Sequence, residues 1–204
     1  MPLSDLSVVI TAPSGTGKTT VIRELMYQMD ELEFSVSATT RPKRIAEREG
    51  VDYYFISKED FRQGIENDDF LEWAEVHENF YGTPKKEIDR INSVGRIPIL
   101  DVDVQGSKTL KNKINNAVFI LMVPPSLAVL EDRLRKRKSD SEGQIELRLE
   151  KAVAEMRSYP MFDYIIINDR LSESVSLIVS IIRTALHKTD KMALELERIL
   201  EAGF

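Results

Sequence analysis

The sequence predicts a three-layer α/β fold, in which a parallel sheet lies between two layers of helices and a smaller mixed α+β lobe is inserted. Three observations lead to it. An apolar, β-branched run from Val8 to Ile10 feeds a glycine-bearing turn that opens a helical face of Val21, Ile22 and Leu25. Further short apolar runs before Asp101, from Ala117 to Val123 and from Phe162 to Asn168, alternate with helical segments, as parallel strands joined by crossovers do. Between about residues 34 and 94 the rhythm changes to short alternating strands and capped helices. The core therefore comprises residues 1–33 and 95–204, and the lobe residues 34–94.

Composition narrows the chemistry. At 204 residues and 42% hydrophobic content, the chain can bury one sizeable core. A net charge of −6 argues against a nucleic-acid footprint, so a phosphate site has to be a local basic patch. There is no cysteine, and the two histidines, His77 and His187, stand far apart, which excludes disulfides and makes an imidazole cluster an unsuitable metal site. No stretch is long and apolar enough to span a bilayer, and Met1 to Asp5 carries no basic region ahead of an apolar one. A cytoplasmic location without membrane contact is the expectation.

In chain order, the turn is Ala12-Pro13-Ser14-Gly15-Thr16-Gly17-Lys18-Thr19-Thr20. Gly-x-x-x-x-Gly-Lys-Ser/Thr cradles phosphates because backbone N–H groups converge where a helix N-terminus also points. Lys18 would reach the β- and γ-phosphates, and the Thr19 hydroxyl would ligate Mg²⁺. The first glycine of the pattern is Ala12 here, which leaves Gly15 and Gly17 to take left-handed conformations. A helix from about Lys18 to Met29 follows, then an alternating strand from Phe34 to Thr40.

From Thr39 to Phe55 the chain reads Thr-Thr-Arg-Pro-Lys-Arg-Ile-Ala-Glu-Arg-Glu-Gly-Val-Asp-Tyr-Tyr-Phe, with arginines at 41, 44 and 48 and no helical or strand period. Pro42 keeps Arg41 out of helical geometry. By itself such a segment is either a solvated charged loop or an anion site. Next come a strand from Tyr53 to Ile56, a helix from Ser57 to Asn67 capped by Ser57, and a strand from Phe70 to Val76. Thr83 then caps a helix that starts at Pro84 and is terminated by Gly95.

The core resumes with a buried strand ending at Asp101, whose carboxylate is suited to hold Mg²⁺ directly or through water. The strand from Ala117 to Val123 stops at Pro124-Pro125, and Ser126 caps a helix to about Lys138 that ends in Arg133-Leu-Arg-Lys-Arg137-Lys. A following helix carries Arg148, and a helix from Ser172 to about His187 covers the last strand. The interleaved apolar residues of 188–204 suit either a packed terminal helix or a dimer surface.

The segment 39–55 carries Thr-Thr-Arg-x-x-Arg-x-x-Glu-x-x-Gly-x-x-Tyr-x-Phe, and with it the chain resembles guanylate kinases, the GMP kinases among P-loop NTPases, over essentially its whole length. Phe70-Leu-Glu-Trp-Ala, Tyr81-Gly-Thr, Leu100-Asp-Val-Asp-Val-Gln-Gly, Arg133-Leu-x-x-Arg and Asp163-Tyr-x-Ile-x-Asn extend the resemblance. It implies transfer of the ATP γ-phosphoryl to GMP with Mg²⁺, a GMP-binding lobe at 34–94, and a lid near 138–145. By matching positions, Arg41, Arg44, Tyr53 and Tyr81 hold the GMP phosphate, while Ser37, Glu72, Thr83 and Asp103 face guanine, with Asp101 nearby. Residues 12–20, Arg133, Arg137 and Asn168 hold ATP, and Lys18, Arg41, Arg137 and Arg148 serve catalysis. ATP and GMP are the implied partners, and monomer and homodimer both stay open. A catalytically inactive binding module and a kinase of another mononucleotide or of a phosphorylated sugar are the alternatives.

Overall fold

The computed structural model describes residues 6–76, 78–136 and 141–202. The apolar run at the start of the chain becomes the middle of the larger sheet. That sheet is parallel and runs β2-β7-β1-β8-β9, with β1 at Ser7–Thr11, β2 at Leu32–Phe34, β7 at Ile97–Asp101, β8 at Ala117–Val123 and β9 at Tyr164–Ile167. Strands buried on both faces read as continuous apolar runs, and the burial of all five residues of β1 follows that rule. Val8 and Ile10 face α1 (Lys18–Gln28) and α7 (Leu171–Leu186), whose Val21, Ile22, Leu25, Val175, Ile178 and Ile182 pack with them. Val9, Leu100, Phe119 and Leu121 face the other way, against Ile88 of α3 (Lys85–Ser93) and Leu110 of α4 (Val104–Lys111). These are the three layers expected.

A second sheet, β4-β3-β6-β5, builds the lobe from β3 (Ala38–Thr39), β4 (Tyr54–Phe55), β5 (Phe70–Val76) and β6 (Asn79–Pro84). Helix α2 (Lys58–Glu66) closes its small core, where Phe61 stacks on Phe70 at 4.3 Å and on Phe80 at 5.3 Å between ring centroids. The Ser57 hydroxyl accepts from Asp60 N at 3.0 Å, the cap expected there.

Three details differ from the expectation. The alternating stretch at Phe34 to Thr40 is not one strand. Leu32 to Phe34 pairs with β7 in the core, Ser35 N donates to Ile99 O, and then Val36 N turns to the Glu87 carboxylate at 3.1 Å, so the chain leaves one sheet for the other between residues 35 and 37. The core sheet consequently continues through Phe34. Thr83 does not cap a helix either: residues 79–84 form β6, antiparallel to β5, and Pro84 is the N-cap of α3. Gly82 sits within this strand, where a Cβ would crowd Glu72 O, Trp73 and Phe61.

Helix α5 (Leu127–Lys136) starts with Val129 N donating to the Ser126 hydroxyl, and α6 (Glu142–Met156) packs on it through Leu130, Leu134, Ile145 and Ala152. The described part of the expected lid, 141–145, is the start of α6, where Ser141 N donates to the Gln144 side chain at 2.8 Å. Helix α8 (Thr189–Ala202) follows α7. Among the described residues, no helix is long and apolar enough to cross a membrane.

Candidate active site

The turn between β1 and α1 lies at the carboxyl end of the central strand, the position where α/β sheets bind ligands. Gly15 has φ +94° and Gly17 φ +99°, so both take the conformations expected of them. Thr11 secures the strand end: its hydroxyl donates to Val102 O at 3.1 Å and shares a 2.5 Å hydrogen bond with Ser107. Pro13 and Thr16 are buried, Ala12 is half-buried and Ser14 is exposed, while Thr19 and Thr20 lie exposed on the first turn of α1.

Two residues assigned to ATP turn out to brace this loop. Asn168 donates through Nδ2 to Thr16 O at 2.7 Å, and its Oδ1 accepts from the Ser174 hydroxyl at 2.8 Å. Arg133 Nη1 donates to the same Thr16 carbonyl at 3.2 Å, and Nη2 to Asn168 O at 3.4 Å. Both polar ends of the buried Asn168 amide are therefore engaged within the protein, a use that a sequence cannot reveal because its partners are 152 and 6 residues away. Replacing Asn168 by alanine takes the acceptor from the buried Ser174 hydroxyl and leaves Thr16 O to Arg133 alone, and a loss of about 1–3 kcal/mol in urea unfolding is expected.

Lys18 lies over the end of β7, forming an ion pair with Asp101 Oδ1 and donating to Val102 O at 3.4 Å. The Thr19 hydroxyl and the Asp101 carboxylate supply hard oxygen donors suited to Mg²⁺, a cation that keeps waters and takes substrate phosphates as further ligands. Among the described residues no group of three or more His, Cys, Asp or Glu side chains gathers, so a metal held by the protein alone does not fit, whereas one held jointly with phosphates does.

Beside Asp101 opens a pocket of about 250 Å³ lined by Ser37, Tyr53, Glu72, Tyr81, Asp101 and Asp103, six of the residues assigned to GMP, together with Ala74, Val76, Gly82 and Val102. Glu72 is 7% exposed. Burial pushes its carboxyl up, the Thr83 hydroxyl draws it down, and Asp103 pushes it up again. Thr83 donates its hydroxyl proton to Glu72 Oε1 at 2.6 Å, which orients the carboxylate in the pocket. Asp103 caps α4 by accepting from Gly106 N at 2.8 Å. Burial likewise raises the Tyr53 phenol, with Asp101 and Tyr81 adding to it.

Arg41 lies beside Tyr53, which lines the pocket. Its guanidinium lies 5.5 Å from the Tyr53 ring centroid, and Tyr53 in turn packs edge-on to Tyr81 at 6.0 Å. Arg44 does not come in: its side chain is exposed, and its backbone N–H donates to Glu47. Arg148 is half-buried on α6. On the same helix, burial raises the Glu155 carboxyl, with Lys151 drawing it down, Asp103 pushing it up and Lys18 drawing it down. Arg137 lies outside the described residues. Its neighbours Arg135 and Lys136 pair with Glu131, Glu142 and Asp132 at the surface, the solvated role expected of a basic helix end.

The guanylate kinase family model matches residues 4–185. A guanylate kinase of Thermotoga maritima is 43% identical over 190 residues, which is 93% of this chain and 92% of that protein. One from Desulfotalea psychrophila is 47% identical over 175 residues, covering 85% and 86%. The crystal structure of guanylate kinase from Anaplasma phagocytophilum superposes with a TM-score of 0.71 at 32% identity, over 90% of this chain and 87% of that one. With likeness of this extent in sequence and in three dimensions, the chain belongs to the guanylate kinase family.

Proposed function

We propose that this chain is an ATP-dependent kinase of GMP and dGMP, acting with Mg²⁺ in the cytoplasm and in purine nucleotide metabolism. The observation that carries the reading is Glu72, a buried carboxylate at the pocket wall with one oxygen fixed by Thr83. Guanine offers adjacent donors at N1 and N2 to such a group, and adenine offers an acceptor at N1 that it repels. The Ser37 hydroxyl is the group left to donate to guanine O6, since the Thr83 proton is committed. Each mismatched buried polar group costs roughly 1–3 kcal/mol, which multiplies into strong discrimination.

In this reading the GMP phosphate enters beside Arg41, Tyr53 and Tyr81, with the Arg44 side chain swinging in from solvent. Its oxygen attacks the γ-phosphorus of ATP while the bond from that phosphorus to the bridging oxygen breaks, giving ADP and GDP. The attacking oxygen is already anionic, so no general base is required, and alignment with charge neutralisation supplies the catalysis. Lys18 leaves Asp101 to follow the transferred charge, and the loop amides of 12–20 hold the donor phosphates. Arg148 and Arg137 share the neutralisation of that charge. Mg²⁺, held by the Thr19 hydroxyl and through water by Asp101, would neutralise β- and γ-phosphate oxygens. Arg133 and Asn168 contribute by keeping the loop in shape.

An inactive binding module finds no support in the phosphate loop, where Gly15, Gly17, Lys18 and Thr19 are intact. A coupled ADP-release assay over nucleoside monophosphates tests the proposal. GMP and dGMP are expected to turn over at least about 100-fold more efficiently than AMP, CMP or UMP. Equal rates with AMP would remove the guanine assignment, and turnover with none of them would remove the kinase.

A further inference from the structure

In the segment 39–55, Glu47 is a defined position of the family pattern that the site described above leaves without a task. Its carboxylate closes the Arg41 to Glu47 loop on itself. Oε1 accepts from Arg41 Nη2 at 2.7 Å, Oε2 accepts from Arg41 Nη1 at 3.0 Å, and Oε2 also accepts from Arg44 N at 2.8 Å. A return bond runs from Glu47 N to Arg44 O at 3.1 Å. The Arg41–Glu47 contact is a two-bond fork, the geometry that fixes the plane of a guanidinium as well as its distance. Arg41 Nη1 donates again to Pro42 O at 2.9 Å, and the same guanidinium lies 5.5 Å from the Tyr53 ring and 5.8 Å from the Phe55 ring. Five N–H groups against the three bonds named here leave donor capacity for an incoming anion.

We propose that Glu47 is the positioning residue for the substrate phosphate: it splints Arg41 against Tyr53 and holds the Arg44 backbone so that two arginines are presented to one phosphate. This rests on the GMP reading above. Glu47 does not touch substrate. Its side chain is 17% exposed and that of Arg41 15%, so the fork is shielded enough to hold, while Arg44 and Lys43 beside it are exposed. The alternative use, a carboxylate that merely occupies Arg41 until phosphate displaces it, leaves the bond to Arg44 N without a purpose. The Arg41 hydrogen bonds, and after them the Arg44 N–H, hold the Glu47 carboxyl below the usual carboxylate range, so the splint stays ionised at neutral pH.

The test compares GMP with guanosine, which has the same base and no phosphate, in calorimetric titrations of the full chain and of Glu47→Ala, Glu47→Gln and Glu47→Asp. Glu47→Ala is expected to weaken GMP about tenfold or more and leave guanosine within about twofold, since a hydrogen bond to a charged group carries that order of effect. In steady state KM for GMP rises by the same factor and KM for ATP stays. Glu47→Gln, which keeps the acceptor for Arg44 N but loses the ionic fork, and Glu47→Asp are expected to recover part of the loss. In an Arg41→Ala background, the further loss from Glu47→Ala is expected to shrink. Unchanged or tighter GMP binding in Glu47→Ala overturns the splint, as does an equal loss for GMP and guanosine, the mark of a collapsed lobe. A native protein that ignores GMP altogether fails the reading beneath it, which the unmodified chain reveals by itself.

Discussion

Lys18→Ala is expected to lower kcat for GMP phosphorylation by about 10²–10³-fold while the protein stays folded. A cation aimed at charge that develops on the transferred phosphoryl acts mainly in the transition state, and losing one such preorganised group carries a cost of that order. In the resting protein Lys18 pairs with Asp101 and donates to the Val102 carbonyl. The variant frees Asp101, which lies at the pocket edge where water reaches it. Circular dichroism and urea midpoints close to native, together with the kcat loss, check both halves. Near-normal turnover would mean that the loop is not the ATP site.

Glu72→Gln should divide activity from stability. The amide turns an –NH₂ toward the guanine donors or loses the Thr83 bond, so kcat/KM for GMP is expected to fall about 10²–10³-fold with KM for ATP unchanged. Stability moves the other way. Burial raises the Glu72 carboxyl above its value in the unfolded chain, so the folded state binds the proton more tightly. That contribution is fully present below the unfolded pKa of about 4.3 and is lost as pH rises through the raised folded value, leaving an ionised buried carboxylate at pH 7. Glutamine carries no such charge and can still accept from Thr83. The ligand-free variant should melt at or above the native temperature at pH 7, with the difference narrowing toward pH 4. A clearly lower melting temperature at pH 7 would show that the charge is needed to hold the pocket together.

What the sequence made legible was decided by range. Residues 12–20 are contiguous, and their chemistry is local: glycines at positive φ, a lysine, a hydroxyl on the first helical turn. The same holds for β5 and β8, whose limits the alternating and continuous apolar patterns gave to the residue. The pocket was legible only through resemblance, because Ser37, Glu72 and Asp103 come from elements far apart and no spacing brings them together. Thr83 and Asn168 show the limit. Residue type marks each as polar and useful, but whether an oxygen faces a ligand or a neighbouring residue depends on contacts made across the fold. Residues 34–40 misled for a related reason: one alternating stretch serves two sheets, and the turn of Val36 N toward Glu87 marks the crossing.

The ion pair between Lys18 and Asp101 has a consequence for the end of the cycle. A cation waiting bare in the cleft would draw any phosphate and grip ADP after transfer. Here the cleft carries its own counterion, anchored one strand away on β7 and so at high effective concentration. On the proposed reading, nucleotide binding is an exchange of one anion for another, and the displaced carboxylate would remain within reach. In the proposed reaction Asp101 would reclaim Lys18 when the transferred charge departs and compete with the product for it, so the contact that rests the enzyme would also help to empty it.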